Sequence, residues 1–124
     1  MVGYDAYRRT QGATATQNAR DLEYRLLAQV TGSLMDAESG KGRLQDRLNA
    51  ILRNEKVWNA FLADLNHPDN GLSQSLKGSL ASLALWVVRE TKHVIENDAS
   101  LEDLIVINRQ IMAGLKPEPM AMVG

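Results

Sequence analysis

The sequence predicts an all-α protein: a single-domain bundle of about four main helices, with a flexible N-terminal arm and a disordered C-terminal tail. Three observations carry this. Apolar residues recur every three or four positions in four separate segments, the spacing that puts them on one side of a helix. No segment alternates apolar and polar residues as a half-buried strand does, and there is no internal repeat. Clusters of Gly, Pro, Asn and Ser punctuate the segments where turns would fall. A chain of 124 residues suits one domain that buries roughly two-thirds of its surface around a single core.

Residues 1–17 are polar and rich in Thr, Gln and Gly, the composition of an arm that orders only against something else. The helical domain is expected over residues 18–115. Asn18 suits the cap of a first helix, with Asp21 three residues on, and Leu22, Leu26, Val30 and Leu34 then fall at helical spacing. The two glycines of "ESGKG" end it. A second helix over about 43–65 carries Leu44, Leu48, Ile51, Leu52, Glu55, Trp58, Leu62 and Leu65 on one broad face. "NHPDNG", residues 66–71, is turn chemistry, because the residue before Pro68 is pushed out of the helical region and Asn70-Gly71 tolerates positive φ.

A third helix runs from an N-cap at Ser73 to about Asn97. Its central stripe is Leu76, Leu80, Leu83, Val87 and Val94, and Trp86 on one flank with Val88 and Ile95 on the other spreads the apolar arc to roughly 200°. A helix of that kind has to be covered from several directions. Gly78, beside Ser79 and Ala81, is expected to let another helix approach closely. Ser100 and Asp103 form an S-x-x-D cap for a fourth helix, which Gly114 and Pro117 end. The tail "KPEPMAMVG", residues 116–124, has no periodicity and reads as disordered.

Composition removes several classes of function. Fourteen basic and fifteen acidic residues leave a formal net charge of -1 with no long run of either sign, so a nucleic-acid binder's basic footprint is missing and direct nucleic-acid binding is not expected. The longest apolar run, "LALWVV" at residues 83–88, is far short of the ~20 residues that a membrane span requires. There is no cysteine, which fits a reducing cytoplasm, and no apolar segment at the start of the chain that would serve as a signal peptide. His67 and His93 lie in different elements without neighbours that complete a metal site, so no metal and no cofactor is expected. "SGKG" lacks the glycine spacing and the following Ser or Thr of a phosphate-binding loop. No Ser, His and Asp set stands in a nucleophile context, and the chain reads as no enzyme.

What remains is apolar surface. On the fourth helix Val106 projects about 140° from Leu101, with Ile107 on the flank of the stripe; on the third, Leu85 points into a face otherwise made polar by Arg89 and Lys92. Two readings stand: single exposed apolar residues are ordinary on any protein, or Val106, Ile107 and the flanks of the third helix border one groove that receives an amphipathic helix. Asn108, central on the fourth helix's apolar stripe of Leu101, Leu104, Ile105, Ile111, Met112 and Leu115, needs a partner if buried. It either bonds a neighbouring helix's backbone and fixes register, or reaches into a ligand groove.

The segments "AYRR", "ARDLEYRLL", Asn54 with "VWNAFLADL", "NGLSQSLKGSLASLALWVVRETKHVI" and, most specifically, "LIVINRQIMAGL" resemble the flagellar biosynthesis regulator FlaF of alphaproteobacteria, over roughly residues 4–115. The pattern departs where Ala19-Arg20-Asp21 replaces the family's Pro-Arg-Glu and where Ser73 stands in place of a usual proline. The resemblance implies a small cytoplasmic protein that promotes flagellin production and export, opposite a second regulator, FlbT. It implies flagellin as partner, bound as by a secretion chaperone, since flagellin's terminal segments are disordered before assembly and amphipathic when helical. The alternative is a post-transcriptional regulator acting through FlbT or flagellin mRNA without touching flagellin. The resemblance assigns no binding residues. From their outward projection, Leu85, Val106, Ile107 and Arg109 are the expected partner contacts, while Trp58, Trp86, Asn108 and Gly114 are expected to hold the scaffold.

Overall fold

The computed structural model describes residues 13–115, with side chains over residues 21–114. Four helices follow one another: α1 (Ala13–Glu38), α2 (Leu44–Leu65), α3 (Gln74–Asn97) and α4 (Glu102–Leu115). Short connections reverse the chain each time, as in an up-down-up-down bundle. The neighbours α1–α2, α2–α3 and α1–α4 pack closely, whereas α3 and α4 make little direct contact. The bundle is thus closed along three of its four edges and open along the fourth.

The connections have identifiable causes. At the end of α1 the Gly40 amide donates to the Ala37 carbonyl at 3.1 Å and the Lys41 amide to that of Asp36 at 3.0 Å, and Gly40 carries the positive φ of 86° that this motif requires. Gly42, at φ 85°, leaves no room for a Cβ, which would lie 2.8 Å from the Asp46 carboxylate. That carboxylate accepts from the Arg43 amide at 2.8 Å and starts α2. Ser73 caps α3 as its sequence position predicts, accepting from the Leu76 amide at 3.2 Å. Asp98, at φ 49°, closes α3 in the left-handed region.

The core is drawn from all four helices: Leu34, Ala50, Ile51, Trp58, Ala84, Val87, Val94, Leu101, Leu104 and Ile105. Several sequence expectations shift. α1 starts at Ala13, five residues before the expected cap at Asn18, so residues 13–17 belong to the helix and not to the arm; alanines at 13 and 15 favour this extension. The remaining arm residues 1–12 and the tail 116–124 lie outside the described residues. The buried stripe of α1 is Leu27, Val30, Thr31 and Leu34, while Leu22 and Leu26 are exposed. The cause is length, because α4 has 14 residues, about 21 Å, and α1 has 26, about 39 Å, leaving the start of α1 without α4 beside it.

Leu76, in the first turn of α3, and Leu44 and Leu52 of α2 are also exposed, so the expected α2 face is divided between core and solvent. Gly78 has nothing within 4 Å of the position a Cβ would take, and no helix approaches there. Gly114 lies in the last turn of α4, which runs to Leu115, and has no positive φ; Pro117, expected to end the helix with it, lies outside the described residues.

Candidate functional site

Two features of this bundle bear on function, a buried polar clasp and the open edge beside it. The clasp centres on Asn108, whose side chain is wholly buried. Its Oδ1 accepts from Trp58 Nε1 at 2.8 Å, and its Nδ2 donates to Asn54 Oδ1 at 2.7 Å and to Thr31 Oγ1 at 3.0 Å. Thr31 Oγ1 in turn points at Met112 Sδ, 3.8 Å away. One amide therefore joins α4 to α1 on its flank and to α2 across the bundle's diagonal.

Asn108 and Trp58, expected from the sequence to hold the scaffold, are both buried and bonded to each other. The partners, however, are side chains from positions 31, 54 and 58 rather than a neighbouring backbone. Asn54 Nδ2, also buried, has no partner, so the network is complete at its centre and one acceptor short at its rim.

A second device fastens the start of α4. Glu38, the last residue of α1, accepts from the Leu101 amide through Oε1 at 2.9 Å and from the Ser100 hydroxyl through Oε2. Ser100 Oγ accepts from the Glu102 amide at 3.1 Å, as expected of a cap, but the acidic group that completes the cap comes from 63 residues upstream instead of from Asp103. The Leu101 and Ser100 hydrogen bonds hold the Glu38 carboxyl below the ordinary carboxylate range; burial opposes them, and Arg47 adds to the lowering. Arg47 also donates to the Ala99 carbonyl at 2.5 Å and stands 3.4 Å from Asp98 Oδ1, so α2 grips the α3–α4 turn as well.

The open edge has neither device. Among the described residues no side-chain hydrogen bond or ion pair joins α3 to α4. Half-buried against the core, Trp86 and Leu83 lie on the flank of α3 opposite Val88, which faces Glu55 of α2, and Ile107 and Ile111 on the flank of α4 opposite Arg109, which faces α1, so helical position sets both pairs toward the seam; Phe61 and Leu62 of α2 pack on that core as well. The ring of Phe61 meets that of Trp58 edge-on at 5.9 Å between centroids, which ties this part of α2 to the clasp. Trp86 is shared between scaffold and seam.

The four expected contact residues do not form one surface. Ile107 borders the seam. Val106, 38 % exposed, lies about 100° further round α4 and faces outward. Arg109 turns toward α1, its Nη2 3.4 Å from Met35 Sδ. Leu85, 51 % exposed, sits about 100° round α3 from Trp86 and shares its stripe with Val88, Lys92 and Ile95 instead. The sequence reading passed over Leu83 and Ile111 as seam residues because helical periodicity assigned both to the core stripe. Only the scant contact between α3 and α4 leaves them half-covered.

Fold and site together define a small helical bundle, pinned internally by a polar clasp and presenting one unclosed apolar edge. The chain belongs to the FlaF family: the model of the flagellar protein FlaF matches residues 4–115, nearly the whole chain, and the role it indicates is in flagellar biogenesis. No curated protein and no solved structure matches the chain. Among the described residues no helix is long and apolar enough to cross a membrane.

Proposed function

We propose that this FlaF-family protein acts in the cytoplasm, without catalysis, as a flagellin chaperone that promotes flagellin synthesis and export. The terminal segment of an unassembled flagellin would lie as an amphipathic helix in the seam between α3 and α4. The observation that carries the reading is the open edge: a bundle closed on three sides presents Leu83, Trp86, Ile107 and Ile111 where a further helix would complete the packing. A large aromatic beside aliphatic side chains on rigid helices is the composition expected of an interface centre.

The ligand's chemistry fits. A flagellin segment that is disordered before assembly has an apolar face to hide only once it becomes helical, and the seam offers both the template and the cover. Covering that face would hold back premature polymerisation.

A calorimetric titration with monomeric flagellin from the same organism, repeated with flagellin lacking its terminal segments, tests the reading. Salt-tolerant binding with a negative heat-capacity change, lost with the segments and weakened by Ile107→Asp in a folded protein, is the expected result. Absence of binding to intact flagellin would sink it.

A further inference from the structure

The hairpin of α2 and α3 has a second apolar face, on the side away from the seam. Val88, Thr91 and Ile95 of α3 and Glu55 of α2 line a shallow depression of about 420 Å³. Leu85 extends the stripe one turn along α3, and Leu52 lies one turn from Glu55 on α2. Leu85, Leu52 and Ile95 are 51 %, 45 % and 42 % exposed, a large apolar allotment for neighbouring surface positions.

Four charges border this face, Arg89 and Lys92 against Glu55 and Glu96. Among the described residues none of the four forms an ion pair. Lys92 precedes Glu96 by one turn, the order in which a pair within a helix gains least, so both charges are free for an external partner.

We propose that this face binds a second copy of the chain, with α3 packed antiparallel against α3 across a two-fold axis beside Ile95. Equal numbers of both signs make the patch complementary to itself. An axis midway between positions 92 and 96 sets the two Ile95 side chains against each other and places each Lys92 opposite the other copy's Glu96. A basic or an acidic partner would match only half of the border. Val88 and Trp86 lie about 160° apart around α3, so the dimer leaves the seam free on each copy.

Sedimentation equilibrium on the full chain, with Lys92→Glu and Glu96→Lys as variants, tests the arrangement. Wild type is expected to dimerise at micromolar concentration. Each single variant puts like charges opposite each other and should weaken association by roughly tenfold or more. The two variants mixed in equal amounts should associate with each other as wild type does, because every facing pair is then opposite in sign. Ile95→Arg should be monomeric and, by circular dichroism, folded.

A wild type that stays monomeric to millimolar concentration overturns the proposal. So does a dimer that the charge variants leave unchanged, or a mixture that fails to recover. Loss of flagellin binding in Ile95→Arg with a monomeric wild type would assign the face to flagellin instead.

Discussion

α4 has two flanks, and they are built differently. Toward α1 and across to α2 it is held by Asn108, by the Glu38 cap on Leu101 and by a core of Leu101, Leu104 and Ile105. Toward α3 it offers half-buried apolar side chains and no hydrogen bond among the described residues. Directional bonds between buried groups specify one arrangement, because any slip leaves a polar atom without a partner. Apolar contact alone tolerates rearrangement, so the directional bonds that hold α4 are concentrated on one flank and the other is the less constrained.

The largest expected effect comes from breaking the pinned flank at its centre. Asn108→Leu strands Trp58 Nε1 and removes the donor from both Asn54 and Thr31. At about 1–3 kcal/mol for each buried group left unsatisfied, offset in part by the apolar gain, a loss of about 3 kcal/mol in a urea or thermal melt is expected. Flagellin affinity of the remaining folded protein should change little. A larger effect on binding than on stability would place Asn108 in the ligand site.

The seam should behave in the opposite sense. Trp86→Ala removes a half-buried ring, for which roughly 2 kcal/mol of stability is expected, below the 3–5 kcal/mol typical of fully buried aromatics. Its flagellin affinity should fall by at least tenfold when titrated under conditions where the variant is folded. Unchanged affinity would mean that the seam is not the binding edge.

Acid should loosen the pinned flank at its base. The Glu38 carboxyl titrates below its ordinary value of 4.5 in the folded protein, so it contributes stability that is fully present above that value. The contribution is lost as pH falls through the lowered value. Glu38→Gln should cost roughly 1 kcal/mol at neutral pH by weakening the cap on Leu101 and Ser100. Urea midpoints of wild type and variant should converge as the solution is acidified. A constant gap would show that the carboxylate charge is not what holds α4.

The sequence revealed the fold far better than the site, for physical reasons. Periodicity and turn chemistry placed α2 and α3 nearly to the residue, because Asp46, Ser73 and the Gly40 turn act within a few positions of themselves. Asn108 stood out as a polar residue on an apolar stripe, but its partners lie 50 to 77 positions away, and no local spacing points to Thr31 or Asn54. Glu38 was equally illegible as the cap of α4. The open seam depends on which helices pack together, which a helical wheel does not encode. Leu85 and Ile107 therefore looked like neighbours from outward projection alone and prove to lie on different faces.

The smallest effect sharpens the comparison most. Val106 precedes the seam residue Ile107 by one position and was singled out from the sequence for the same reason, yet it faces outward at 38 % exposure. A carboxylate there meets water and buries no charge, so Val106→Asp should shift stability by no more than about 0.5 kcal/mol. Ile107→Asp forces a charge against the core. If flagellin lies in the seam, Ile107→Asp loses binding and Val106→Asp keeps most of it. Were both variants to lose binding while folded, the partner would wrap the outer surface of α4, and the open edge would be only part of its footprint.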